Sequence, residues 1–79
     1  MTEKILFVDD EPHVLQSIKR QLRKRFELET AEGGAEALKV LEEKGPFAVI
    51  VSDMRMPEMN GVELLSKVKD LYPDMVRLM

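Results

Sequence analysis

Residues 48–61 read AVIVSDMRMPEMNG, and the fold turns on how this stretch is parsed. An apolar run, Ala48 to Ser52, stops on a carboxylate, Asp53, and passes into a loop holding Pro57, Asn60 and Gly61. A short Val/Ile-rich run bounded by turn residues reads as a strand inside a parallel sheet, buried on both faces. The same arrangement occurs earlier, in KILFVDDEP, where Ile5 to Val8 gives way to Asp9 and Asp10. Two such strands ending in acid raise the question of whether the acids meet.

The intervening sequence answers in part. Leu28 to Ala31 forms a weaker third apolar run, and the segments between the runs have helical spacing. Val14, Leu15, Ile18 and Leu22 make one stripe that faces a core, with Lys19, Arg20, Arg23 and Lys24 on the opposite, solvated face. Ala37, Leu38 and Leu41 mark a second helix, stopped at Gly45-Pro46. Leu64, Leu65, Val68 and Leu71 mark a third, stopped near Tyr72-Pro73, and Met75 to Met79 opens another apolar run. Strands alternating with helices predict right-handed βαβ units and a parallel α/β sheet.

Composition narrows the class. The chain has 79 residues, 44% hydrophobic and 34% charged, which suits one small globular domain. It carries no cysteine, which excludes disulfides and thiolate metal sites. Its net charge of −3 argues against direct nucleic-acid binding. No apolar run suits a signal peptide or a membrane span, so a cytoplasmic protein without membrane association is expected.

In a doubly wound sheet, ligands bind beyond the carboxyl ends of the strands, where the winding reverses. If the first strand lies beside the third, with the second outside it, Asp9 and Asp10 flank one side of that crevice and Asp53 the other. Crowded carboxylates repel one another, and apart from Arg55 no basic residue stands at the strand ends. A hard divalent ion relieves the repulsion, and Mg²⁺, which takes one or two carboxylates and keeps several waters, fits best. An aspartate so placed can also act as a nucleophile toward a phosphoryl group.

Each residue has a plainer reading. Asp10, ahead of Glu11-Pro12, suits a helix N-cap. Asp9 suits a solvated loop acid, and Asp53 a simple strand end. Asn60-Gly61 reads as a turn and cap. Met54, Met56 and Met59 read as loop packing, because thioethers prefer soft ions. His13, on the first turn of a helix, reads as a surface residue. What favours a site is the joint pattern.

Taken together, ILFVDDEP and VIVSDMRMPEMNG closely resemble the receiver domain of two-component response regulators, from Lys4 to the end of the chain. The resemblance implies a flavodoxin-like doubly wound parallel sheet, here incomplete as β-α-β-α-β-α-β with strand order 2-1-3-4. It implies that Asp53 is the phosphoacceptor, and that Asp9, Asp10, Asp53 and the backbone carbonyl of Arg55 hold Mg²⁺. Arg55 also matches a position that tunes hydrolysis of the phosphoryl group. The implied partners are a sensor histidine kinase and an output domain in a longer parent. Such a domain assists its own phosphorylation and dephosphorylation but is not a turnover enzyme.

The family pattern runs on past the fourth strand, with a Ser or Thr ending that strand and a Lys ending the fifth. The expectation is therefore a partial receiver domain over residues 1–79, with impaired phosphotransfer and switching. Its uncovered apolar surface and open strand edge would favour a homo-oligomer or swapped dimer. The alternative is an interaction or dimerisation module that keeps the fold without the chemistry. A haloacid-dehalogenase-like phosphatase needs a second acid two residues after the nucleophile, where this chain has Arg55. A flavodoxin needs a phosphate-cradling loop after the first strand, where DDEP would repel phosphate.

Overall fold

The computed structural model describes residues 4–53, 56 and 58–79. Four strands, β1 (Lys4–Val8), β2 (Glu27–Ala31), β3 (Val49–Ser52) and β4 (Val76–Leu78), alternate with three helices, α1 (Pro12–Leu22), α2 (Gly34–Lys44) and α3 (Gly61–Leu71). All neighbouring strands are parallel, in the order β2-β1-β3-β4. The chain steps outward from β1 to β2, then crosses back over β1 to reach β3. That reversal creates the crevice between the tips of β1 and β3.

The helices start and stop where local chemistry directs. Asn60 caps α3, its side-chain oxygen accepting a 2.8 Å bond from the Glu63 amide. At α1 the expectation fails: Glu11, not Asp10, stands at the N-cap, and its side chain makes no capping bond. The Asp9 carboxylate instead accepts the Glu11 amide at 2.9 Å, an Asx-type closure that leaves Asp10 free. Pro12 at the first helical position fixes where α1 begins. The C-terminus of α2 depends on Gly45, because a Cβ there would sit 2.5 Å from the Leu41 carbonyl oxygen.

The core lies on one face of the sheet. Leu6 and Val8 of β1 and Ile50 of β3 pack with Ala37 and Leu41 of α2, Leu64 and Val68 of α3, Phe47 and Met75. The opposite face is covered by α1, where Leu15 is buried but Ile18 and Leu22 are half-buried and Val14 is 37% exposed. β1 and β3 therefore do not bury both faces, as their continuous apolar runs predict. Ile5, Phe7, Val49 and Val51, which alternate with the core residues, stay half-buried. One helix of 11 residues cannot blanket the face that two helices cover on the other side. Leu71, counted in the α3 stripe, is likewise 62% exposed at the end of its helix.

Candidate functional site

The register of β1 and β3 builds the site. Val8 pairs with Ser52, so the next residue on each strand, Asp9 and Asp53, emerges at the same level. The ladder continues one step beyond the strands: the Asp9 amide donates to the Ala31 carbonyl at 3.1 Å, and the Asp53 amide donates to the Val8 carbonyl at 2.9 Å. Both acids are thus held by backbone bonds at the lip of the sheet. Asp10, one residue further along, is exposed, whereas Asp9 and Asp53 are half-buried.

The three side chains converge. Asp9, Asp10 and Asp53 each offer a carboxylate oxygen, all within 4.8 Å of one another. Oxygens on opposite corners of an octahedral Mg²⁺ lie about 4.2 Å apart, twice a 2.1 Å bond. A small side-chain rotation, or one ligand acting through water, brings the set into range. No basic side chain among the described residues lies within ion-pair distance of these acids, and the salt bridge recorded, Lys44 to Glu29, belongs to α2 and β2. A hard cation suits such an uncompensated oxygen-only cluster.

Below the acids lies a groove of about 180 Å³, lined by Phe7, Val8, Leu15, Ile18, Val51 and Ser52. It is the half-open α1 face seen from the side, so the acidic lip sits against an apolar wall.

The remaining predicted residues are accounted for as follows. Met56 and Met59 pack against the core, as loop packing requires. Met59 lies over the start of α2, where a Cβ on Gly34 would be 2.5 Å from its sulfur. His13 is exposed on the first turn of α1. Met54, Pro57 and the expected Arg55 carbonyl ligand lie outside the described residues. The reading of the sequence missed Ser52. It is buried, and its hydroxyl donates to the Asp53 carbonyl at 3.0 Å. The available signal was a hydroxyl at a core-facing strand position immediately before the acid.

Comparison with known proteins gives one consistent picture. Residues 5–79 match the family described as the response regulator receiver domain. The hydrogenase transcriptional regulatory protein HoxA of Bradyrhizobium diazoefficiens is 39% identical over 74 residues, which span 94% of this chain and 15% of that protein. A crystal structure titled as an adenylate cyclase from Rhodopirellula baltica superposes with a TM-score of 0.95 at 44% identity, covering all of this chain and 58% of that one. The Thermotoga maritima response regulator TrrA, solved in complex with Mg²⁺-BeF, aligns with a TM-score of 0.88 at 32% identity over 96% of this chain and 66% of its own. TrrA has also been solved in complex with the histidine kinase ThkA. The chain therefore spans a small part of its curated relative and under two thirds of the first solved chain.

Proposed function

Because this chain belongs to the response regulator receiver domain family, we propose that it is a phosphoacceptor module in which Asp53 takes a phosphoryl group from a sensor histidine kinase. The observation that carries the reading is the convergence of Asp9, Asp10 and Asp53 at the tips of adjacent parallel strands. The Mg²⁺-BeF complex of TrrA and its complex with a kinase support the same assignment by similarity.

The residues divide the work. Asp53 would offer a carboxylate oxygen as nucleophile to the phosphorus; the P–N bond to the donor histidine breaks as an acyl phosphate forms on Asp53. Asp10, exposed and without a capping bond to α1, would be a ligand for Mg²⁺. Asp9 has one oxygen committed to the Glu11 amide, which would leave its other oxygen for the ion. By the family resemblance, the Arg55 carbonyl would be the fourth ligand. Bound Mg²⁺ supplies neutralisation of the phosphoryl oxygens, without which three carboxylates would repel the donor. The module assists its own phosphorylation and dephosphorylation without turning over a substrate, and it works in the cytoplasm as part of a longer regulator with an output domain. Among the described residues, no helix is long and apolar enough to cross a membrane.

A second reading, association with another chain, is favoured by one observation. Val76 and Leu78 on β4, the outer strand among the described residues, are 53% and 51% exposed and offer an apolar edge. Sedimentation showing a monomer at high micromolar concentration rejects it.

The test of the main reading is chemical. The chain is incubated with Mg²⁺ and acetyl phosphate, or a phosphoramidate, and followed by intact mass and peptide mapping. The expected result is one added phosphoryl group on Asp53, absent in Asp53→Asn and without Mg²⁺. Labelling that persists in Asp53→Asn overturns the assignment. A chain that retains the fold but is never labelled supports the scaffold alternative.

A further inference from the structure

Ser52 stands out among the described residues as a buried polar side chain, 3% exposed, on a strand that otherwise reads Val-Ile-Val. A hydroxyl in such a position is costly unless it is bonded, and an apolar residue would fill the space without that cost. Its single recorded bond goes to the carbonyl oxygen of the next residue, Asp53, at 3.0 Å. The Asp53 amide is already held by the Val8 carbonyl at 2.9 Å. The peptide groups on both sides of the Asp53 Cα are therefore anchored, one by the sheet and one by Ser52. β3 ends at Ser52, and among the described residues no backbone amide donates to the Asp53 carbonyl.

We infer that Ser52 is a positioning residue for Asp53, fixing the outgoing peptide so that the carboxylate stays aimed into the cup shared with Asp9 and Asp10. This rests on the proposed role of Asp53 but concerns a residue that the acidic pattern does not include. Precise aim matters because displacing a reacting group by about 1 Å can cost on the order of a hundredfold in rate. A looser tether that lets the carboxylate wander by a fraction of that distance costs correspondingly less.

The experiment compares the full chain with Ser52→Ala, Ser52→Thr and a core control on the same strand, Ile50→Val. Two readouts are taken: amide hydrogen exchange at Asp53 without metal, and Mg²⁺ affinity from the titration of backbone amide shifts. Ser52→Ala is expected to speed Asp53 exchange relative to Val51 and to weaken Mg²⁺ binding by about tenfold. Ser52→Thr, which restores the donor, returns both values toward wild type. Ile50→Val loosens the core but leaves Mg²⁺ affinity unchanged. Unchanged exchange at Asp53 in Ser52→Ala overturns the inference whether or not metal binds. So does faster exchange with unaltered Mg²⁺ affinity, or an equal loss of affinity in Ile50→Val. Absence of Mg²⁺ binding by the wild-type chain overturns the functional reading instead, and the exchange comparison still judges the tether.

Discussion

The two faces of the sheet are built from the same two strands yet differ sharply. On the α2/α3 face, Leu6, Ile50, Leu64 and Val68 are fully buried. On the α1 face, Phe7 and Val51 remain half-buried over a groove that runs up to Asp9 and Asp53. Burial is concentrated on the closed face, and the acids sit where it meets the open one. The difference teaches that the lip carrying the acids is placed by the backbone ladder of the sheet rather than by close side-chain packing beside it. Backbone bonds from Asp9 to Ala31 and from Asp53 to Val8 hold the acids at the lip.

The comparison breaks most directly by truncating one residue on each face. Ile50→Ala is expected to cost about 3–4 kcal/mol, because a fully buried side chain leaves a cavity. Val51→Ala, one residue along on the half-buried face, should cost less than about half as much. Equal losses in urea denaturation would show that the two faces contribute alike. Gly45→Ala tests the closure of α2 on the closed side. The clash with the Leu41 carbonyl is backbone against side chain and should cost about 1–3 kcal/mol by the same measurement. Asn60→Ala removes the cap that starts α3 and is expected to cost about 1 kcal/mol, with Asn60→Asp nearly neutral. The smallest effect has the opposite sign. Glu58 is exposed and has a φ of 67°, a left-handed conformation that costs about 1 kcal/mol for a residue with a Cβ. Glu58→Gly should therefore raise the thermal midpoint by a few degrees, and a lowered midpoint would count against that strain.

Much of this was legible because the informative signals are local. The strand at Val49–Ser52 and the helix begun by Asn60-Gly61 follow from short patterns, and strict alternation of strands and helices left few topologies open. The meeting of Asp9 and Asp53 was legible only jointly, since neither acid alone distinguishes a site from a strand end. What escaped depends on tertiary context. The continuous apolar runs of β1 and β3 taken alone suggest burial on both faces, and the uncovered apolar surface on the α1 side was expected only from the incomplete family pattern. Asp10 and Asp9 are both plausible partners for the start of α1, and only the turn geometry gives the bond to Asp9. Ser52 read only as the last residue of a strand, because a hydroxyl carries no burial signal of its own.

The central claim is that three acids from the tips of neighbouring strands form one seat for a hard divalent cation. Mn²⁺, which accepts the same oxygen ligands, tests it directly through paramagnetic broadening of backbone amide signals. At substoichiometric Mn²⁺ the account predicts that Asp9, Asp10 and Asp53 broaden first and together, that excess Mg²⁺ restores them, and that Asp10→Asn weakens the effect at least about tenfold. Broadening centred elsewhere, or undiminished in both Asp10→Asn and Asp53→Asn, would contradict it.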